Sequence, residues 1–214
     1  MILFPNAKIN LGLHVLSKRS DGFHNLETCF YPVPWYDILE IIPSESLAFT
    51  SSGNAIPGNQ EDNLCIKAYH TLAADHSLPP VHIHLHKNIP IGAGLGGGSS
   101  DAAFVCTLLN QRFQLGLTNR QLEQHVRPLG SDCAFFIQNK AIVAHEKGDM
   151  FSDQGIVNLK DWWICLIHPS IHVSTKEAYA GVIPQENRKP LTSILRLPVE
   201  QWKNELVNDF ETSV

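Results

Sequence analysis

Five glycines occur within the seven residues 92–98, and this stretch constrains the chain more than any other. Glycine loses more backbone freedom on folding than other residues, so a dense run of glycines is costly unless the backbone must approach something closely. The stretch lies between the alternating segment Val81–Lys87 and an apolar run that begins near Ser100. The pattern therefore predicts a strand, a glycine loop and a helix in this order.

A loop of this kind is suited to binding phosphate. Glycine N–H groups can approach an anion closely, and the start of the next helix adds unpaired N–H groups and a partial positive charge. We expect Ser99 and Ser100 to cap a helix over residues 100–113. A plain flexible connection is the alternative, and the serine pair followed directly by a long helix argues against it.

Two common nucleotide motifs do not fit the glycine stretch. Residues 92–97 match the form G-x-G-x-x-G, but 117–119, about 20 positions further on, hold no acidic residue of the kind a dinucleotide site requires. The Walker motif fails because Gly98 stands where that motif needs a lysine. An NAD-dependent oxidoreductase is accordingly the most distant of the functions considered.

The remaining patterns mix strands and helices along the whole chain, which indicates the α+β class. Predicted strands cover 7–16, 29–42 with prolines marking an edge or bulge, 47–50, 81–87, 141–145 and a buried run at 162–168. Predicted helices cover 63–75, 100–113, 118–127 from a capping box, 132–136, 174–179 and 198–207. The polar stretch 149–160 predicts a boundary between a domain at 1–150 and a second at 151–214.

Composition excludes several kinds of partner. A net charge of −5 with scattered Lys and Arg argues against a nucleic-acid partner. Five widely separated cysteines without a CxxC pair indicate neither a disulfide framework nor a zinc site. No apolar run is long enough to span a bilayer, and the N-terminus lacks a clean signal segment, so we expect a cytoplasmic protein with no membrane partner. Nothing in the sequence indicates an oligomeric state.

Two further segments carry groups suited to phosphoryl transfer. Lys8 and Asn10 share one face of the predicted strand 7–16, and Asp132 lies in a turn of small residues. Transfer to an alcohol needs positioning, charge neutralisation and a proton acceptor. A carboxylate beside an ammonium stays ionised at neutral pH and can accept a proton. From spacing alone, an ordinary salt bridge between Lys8 and Asp132 is the simpler interpretation.

The glycine stretch resembles the phosphate loop of the GHMP kinase superfamily. The residues that carry this resemblance, and to which it assigns nucleotide contacts, are Pro90, Gly92, Gly94, Leu95, Gly96, Gly97, Gly98, Ser99 and Ser100. The resemblance implies a GHMP kinase fold, with an N-terminal domain like domain 2 of ribosomal protein S5 and an α+β C-terminal domain. It also implies ATP and Mg²⁺ as cofactors. Either Ser99 or Ser100 could bind the Mg²⁺, and the resemblance indicates no carboxylate ligand.

The segment RSDGFHNL at 19–26 resembles a narrower family, the 4-diphosphocytidyl-2-C-methyl-D-erythritol kinases. In that family an aromatic residue stacks on the cytosine and a histidine binds the edge of the base, which implies these roles for Phe23 and His24. Phe23 replaces the usual tyrosine and keeps its π-face. By the same resemblance, Thr175 and Tyr179 contact the cytidine, although helix packing is an equal alternative for Tyr179.

Other residues take their expected roles from the same resemblance. Asn63, Leu64 and Lys87 match positions near the nucleotide, Asn10 matches a substrate-binding position, and the segments of Lys8 and Asp132 match catalytic motifs. The implied reaction moves the γ-phosphoryl group of ATP to the 2-hydroxyl of the cytidylyl substrate in non-mevalonate isoprenoid precursor biosynthesis.

Family chains usually continue beyond residues 208–211 and carry a third glycine-rich motif, whereas this sequence stops at Val214. We therefore expect an incomplete C-terminal domain. A catalytically silent nucleotide-binding protein is an alternative for that reason. Another GHMP small-molecule kinase is a second alternative, although such a kinase has no reason to keep RSDGFHNL.

Three histidines alternate on the predicted strand 81–87, at His82, His84 and His86. They share one face of the strand and could in principle bind a metal. Other metal-ligand spacing is absent, so a solvated strand face is the favoured interpretation, and no metal-ligating residue is predicted.

Overall fold

The structure is a computed structural model that describes residues 1–152, 157–169, 171, 173 and 175–212. The chain divides into two compact units. Unit 1 comprises Met1–Lys8 and Pro32–Asn139, and unit 2 comprises Ile9–Tyr31 and Lys140–Val214. The domain boundary predicted at residue 150 stays a prediction beside this division.

Helices and strands alternate irregularly through the described residues, which confirms the α+β class. The strands are β1 (Ile2–Leu3), β2 (Asn6–Lys18), β3 (His24–Tyr36), β4 (Ile38–Pro43), β5 (Ala48–Gly53), β6 (Val81–Lys87), β7 (Ile142–Glu146) and β8 (Met150–Ser152). The helices are α1 (Leu64–Ala73), α2 (Gly97–Phe113), α3 (Asn119–Val126), α4 (Cys133–Gln138), α5 (Thr175–Ala180) and α6 (Leu191–Ile194). Short 3₁₀ turns complete these elements.

Unit 1 contains a four-stranded sheet in the order β1-β4-β6-β5. β5 runs parallel to β6, and the other pairs are antiparallel. The alternation of β6 explains its place: Val81, Ile83 and Leu85 are buried, while the histidines between them take the other face. α2 contacts β1 and β4, and both α1 and α4 pack on α2. One face of the sheet is thus covered by helices.

Unit 2 contains the larger part of a second sheet, in the order β2-β3-β7-β8. β3 pairs with β7 over Leu26–Phe30, and β7 pairs with β8. A buried cluster of apolar side chains lies in this unit and includes Cys29, Val143, Leu191, Ile194 and Trp202. The short helix α6 supplies Leu191 and Ile194, and the 3₁₀ turn Val199–Asn204 supplies Trp202. The sequence pattern had predicted a helix over 198–207, where this turn lies.

The start of α2 differs from the prediction. The helix begins at Gly97, and Gly96 is the N-cap, with a left-handed φ of 69°. Ser99 and Ser100 therefore lie inside the first turn, and the prediction that they cap the helix is wrong. The backbone N–H of Ser100 donates to the carbonyl oxygen of Gly96 at 2.9 Å, which closes that first turn. A glycine at the left-handed position lets the loop enter the helix without a capping side chain.

Several predicted elements are confirmed, and their physical signals are visible in the structure. β6 has the predicted bounds. The capping box holds the start of α3, where Thr118 and Gln121 each accept from the other's backbone N–H. The predicted strand 29–42 is interrupted at Asp37 and not at the prolines, since β3 continues through Pro32 and Pro34 to Tyr36.

The predicted buried strand at 162–168 is wrong. These residues are described and belong to no strand, and Trp163 is fully exposed while Ile167 is 87% exposed. An apolar run forms a strand only where a neighbouring strand completes its backbone hydrogen bonds, and within the described residues none pairs with this run. The predicted helix cap Ser174 lies outside the described residues.

Substitution at the start of α2 tests this account of the loop. A Cβ at Gly96 would lie 2.9 Å from Phe136 Cζ and 3.1 Å from Lys8 Cγ, in a left-handed backbone. We expect Gly96→Ala to lower the free energy of unfolding by at least about 1 kcal/mol in urea denaturation.

Gly98→Ala is the matched control. A Cβ there would meet only Leu64 Cδ1 at 3.5 Å, within ordinary contact. Alanine is a better helix former than glycine, so we expect unchanged or slightly increased stability. Equal stability of the two variants would contradict the left-handed conformation at Gly96.

Candidate active site

The glycine loop forms one wall of a cavity of about 400 Å³ in unit 1. The predicted nucleotide residues that line this cavity are Asn63, Leu64, Lys87, Pro90, Gly92, Gly94, Leu95, Gly96, Gly97, Gly98 and Ser99. Ser100 is the exception, because it is fully buried and is not among the lining residues. The opposite wall includes Ile56, Pro57 and Asn59, which the sequence analysis did not single out. The structure thus brings separate sequence segments to one cavity.

The loop has a backbone suited to an anion. Gly92, Gly94 and Gly96 have φ values of 70°, 72° and 69°, so every second residue is left-handed. Left-handed residues set singly into a chain form the concave turns of backbone N–H groups that bind anions. The start of α2 directly follows, and its first N–H groups and dipole favour negative charge at the same place.

Lys8 and Asp132 lie next to this loop. Lys8 Nζ is 3.2 Å from Asp132 Oδ2, and the side chains are 7% and 26% exposed. The backbone N–H of Lys8 donates to the carbonyl oxygen of Leu95 at 2.9 Å, so the lysine is attached to the loop itself. Asp132 occupies the N-cap position of α4, but the described residues include no cap hydrogen bond from its side chain. Its carboxylate is instead directed to Lys8 and to the Ser131 hydroxyl.

The loop and the turn that carries Asp132 also meet at Cys133. The hydroxyl of Ser99 forms a hydrogen bond with the Cys133 thiol. Burial raises the pKa of that thiol to about 11, although the bond to Ser99 opposes this shift. A neutral thiol agrees with the sequence interpretation that nothing activates Cys133.

Lys87 is more deeply placed than the sequence suggested. Its side chain is 3% exposed, and its ammonium forms ion pairs with Asp37 and with Asp101, the second at 2.7 Å. Burial alone lowers the pKa of Lys87, but the two carboxylates outweigh it and the net shift is upward. Sequence reasoning missed both carboxylates. Asp101 follows the serine pair directly and was within reach of the motif, whereas Asp37 is distant in sequence.

The predicted base-binding residues lie in unit 2 and form an aromatic group. The ring of His24 stacks on Tyr179 with centroids 4.7 Å apart and planes 9° apart. Tyr179 in turn meets the edge of Phe210 at 4.9 Å, and Phe210 was not predicted. Phe23 is 58% exposed, with Lys147 Nζ 5.2 Å from its ring centroid. The structure thus brings His24 and Tyr179 together and leaves Phe23 open to solvent.

Two predicted substrate residues remain. The side-chain amide of Asn10 donates to the Thr28 hydroxyl at 2.8 Å and is half-buried in unit 2. The side chain of Thr175 lies outside the part of the chain that the structure describes, although its backbone begins α5.

The described residues contain neither a metal-binding cluster of His, Cys, Asp or Glu side chains nor a helix that could span a membrane. No group of three or more His, Cys, Asp or Glu side chains there could hold a metal ion. The histidines of β6 bond instead to hydroxyls of β5, with His84 Nδ1 2.8 Å from Thr50 Oγ1. No described helix combines the length and the apolar character that crossing a membrane requires.

Comparison with known proteins gives three findings. Residues 63–140 match the N-terminal domain of GHMP kinases. A 4-diphosphocytidyl-2-C-methyl-D-erythritol kinase from Cytophaga hutchinsonii is 67% identical over 214 residues, which is 100% of this chain and 79% of the relative. The enzyme of the same name from Parabacteroides distasonis is 50% identical, with the same coverage.

Solved structures agree with the sequence relatives. A crystal structure of 4-(cytidine 5'-diphospho)-2C-methyl-D-erythritol kinase superposes with a TM-score of 0.78 at 30% identity, covering 100% of this chain and 76% of that one. The mevalonate kinase of Methanococcus jannaschii is 12% identical with a TM-score of 0.52, covering 71% and 55%, which shows a shared fold only. The chain is a small-molecule kinase of the GHMP fold, and it belongs to the 4-diphosphocytidyl-2-C-methyl-D-erythritol kinase family.

Proposed function

We propose that this chain transfers the γ-phosphoryl group of ATP to the 2-hydroxyl of 4-diphosphocytidyl-2-C-methyl-D-erythritol, as a step of non-mevalonate isoprenoid precursor biosynthesis. The observation that carries the proposal is the Lys8–Asp132 pair, 3.2 Å apart, with Lys8 bonded through its backbone to the glycine loop. Relatives at 67% and 50% identity carry the name of this kinase. An ordinary salt bridge would not need to adjoin a phosphate-binding loop.

The cavity in unit 1 takes the nucleotide in this proposal. The N–H groups of the loop and of the first turn of α2 bind the β and γ phosphates, and Asn63 and Leu64 line the adenine end. The loop leaves room for a closely approaching phosphate, because a Cβ placed at Gly94 would meet no protein atom within 4 Å, and this residue lines the cavity. Mg²⁺ would neutralise phosphate charge. Of Ser99 and Ser100, it is Ser99 that lines the cavity, so its hydroxyl would bind the ion.

Asp132 and Lys8 carry the chemistry. The substrate hydroxyl gives its proton to the Asp132 carboxylate, a new P–O bond forms to the γ-phosphorus, and the bond to the β-phosphate oxygen breaks to release ADP. The Lys8 ammonium stabilises the negative charge that develops on the substrate oxygen and keeps Asp132 in place. Asp132 is about a quarter exposed, so a substrate can reach it.

The aromatic group of unit 2 recognises the cytosine. Phe23 offers an exposed ring face, and His24, held flat against Tyr179, offers ring nitrogens to the base edge. Recognition of this kind uses stacking for affinity and hydrogen bonds for the identity of the base.

The reaction is proposed to take place in the cytoplasm. ATP is available there, and all five cysteines are unpaired, as expected in a reducing compartment.

Replacing the proton acceptor tests the mechanism. Asp132→Asn keeps the shape of the side chain but removes its basicity, so we expect kcat to fall by about 10²–10⁴-fold with little change in the KM for ATP. A coupled assay of ADP release with the cytidylyl substrate measures both constants. Asp161→Asn, at an exposed position of unit 2, is the matched control and should retain activity. Equal kcat values for wild type and Asp132→Asn would remove Asp132 from the mechanism.

Replacing the stacked tyrosine tests substrate recognition. Tyr179→Ala removes the ring that supports His24, so we expect the KM for the cytidylyl substrate to rise about tenfold or more. Tyr179→Phe keeps the ring and should stay within about twofold of wild type. The KM for ATP should not change in either variant. A KM for the cytidylyl substrate that is unchanged in Tyr179→Ala would show that the ring serves only to pack α5.

A further inference from the structure

We propose that Asp37, Lys87 and Asp101 form a buried positioning cluster that fixes both ends of the glycine loop in its phosphate-binding conformation. The inference rests on the proposed function, because that function assigns the loop to the phosphates of ATP. Lys87 and Asp101 also line the cavity, whereas Asp37 does not, so Asp37 can act on the nucleotide only through the loop and is the residue that tests the positioning role.

The cluster is closed to solvent. The side chains of Asp37, Lys87 and Asp101 are 0%, 3% and 3% exposed, and the Lys87 ammonium pairs with both carboxylates. Removal of one partner from a deeply buried ion pair strongly destabilises a protein, because the other charge is left unpaired. The positions of these three side chains are therefore narrowly determined. A backbone segment that is hydrogen-bonded to these side chains is therefore held in place as well.

Asp37 holds the entrance of the loop. Its Oδ1 accepts hydrogen bonds from the backbone N–H groups of Asn88 and Ile89, at 2.6 and 2.8 Å. Its Oδ2 pairs with Lys87, so one carboxylate joins the end of β6 to the residues that lead into the loop at Pro90. Neutral backbone donors paired with a buried carboxylate form strong, well-oriented bonds.

Asp101 holds the exit of the loop. It lies in the first turns of α2, and its Oδ2 accepts from Lys87 Nζ at 2.7 Å. The same ammonium lies under the first residue of that helix, since a Cβ at Gly97 would be only 2.8 Å from Lys87 Nζ. One cation thus joins the entrance, through Asp37, to the exit, through Asp101.

The cluster has more negative than positive charge. Asp101 Oδ1 is buried without a hydrogen-bond partner among the described residues. Burial raises the pKa of Asp101 to about 7; Lys87 opposes this shift and Asp37 adds to it. The titratable groups that face Asp101 are Lys87 of β6, Asp37 and the Cys65 thiol of α1, whose own pKa burial raises well above its usual value. Asp101→Asn leaves one carboxylate for the one ammonium and keeps an oxygen that can accept from Lys87 Nζ, so this variant should fold.

The first experiment measures loop order and ATP binding in Asp37→Asn. Asparagine can still accept from the backbone N–H groups but lacks the charge that pairs with Lys87. We expect faster amide hydrogen exchange at residues 91–98 and a Kd for ATP, measured by titration calorimetry with Mg²⁺, at least about tenfold higher. The KM for the cytidylyl substrate should change by less than about twofold. Glu205→Gln, which breaks an exposed ion pair with Lys189, is the control and should change none of these.

The outcomes separate the two proposals. Unchanged exchange at residues 91–98 and unchanged ATP affinity in a folded Asp37→Asn chain would overturn the positioning role. Hydrogen exchange needs no nucleotide, so a wild-type chain that fails to bind ATP would overturn the proposed function and leave the test of the cluster intact. If Asp37→Asn does not fold, Asp101→Asn is judged by hydrogen exchange alone, because Asp101 also lines the cavity; faster exchange at residues 91–98 is expected, and unchanged exchange would overturn the positioning role.

The pH dependence of stability is the second experiment. Between about pH 4 and about pH 7, the native chain holds a proton at Asp101 that the unfolded chain has released. Stability from this group is therefore complete below about pH 4 and is lost as the pH rises to about 7. We expect Asp101→Asn to show a smaller fall in the free energy of unfolding over this range than wild type, in urea denaturation at fixed ionic strength. Parallel curves for the two proteins would contradict the charge state proposed for the cluster.

Discussion

A backbone hydrogen bond, from Lys8 N–H to the carbonyl oxygen of Leu95, connects the strand that carries the lysine to the glycine loop. Because Lys8 Nζ also pairs with Asp132, the carboxylate proposed as the proton acceptor is held beside the same loop. The absence of a Cβ at Gly96 leaves room for the stem of Lys8 and the ring of Phe136. Lys8, Asp132 and the glycine loop are therefore parts of one packed arrangement within unit 1.

Local signals predicted the elements that need only local causes. Alternation sufficed for β6, and the capping box sufficed for α3, because each pattern matches the period or the end geometry of its element. The run at 162–168 has an equally strong apolar signal, yet it forms no strand among the described residues. The composition of a segment indicates that it can form a strand, but the tertiary structure decides whether a partner strand lies beside it. Similarly, the break between β3 and β4 falls at Asp37, whose carboxylate accepts from the backbone N–H groups of Asn88 and Ile89. No residue near Asp37 in the sequence indicates these long-range bonds.

The same contrast between local signals and long-range contacts applies to the candidate site. Motifs within one segment located the loop. The chemistry of their segments singled out Lys8 and Asp132, which the structure brings within 3.2 Å, and the resemblance assigned them catalytic roles. The roles of these residues stay predictions, as does that of Tyr179. Phe210 was missed because its contact with Tyr179 joins positions far apart in sequence. Ser100 was assigned to the nucleotide with its neighbour, but one further step of helix rotation places it in the interior.

The histidines of β6 are linked through two hydroxyls of β5: His82, Thr50, His84, Ser52 and His86 form an unbroken row of contacts between 2.8 and 3.1 Å. Each hydroxyl has one hydrogen, so it can donate to only one of its two imidazoles and must accept from the other. The tautomers of the three rings are consequently not independent. With every contact satisfied and every ring neutral, a ring that carries its hydrogen on Nδ1 requires the same tautomer of each later ring in the order His82, His84, His86, because the hydroxyl between them has already donated its hydrogen.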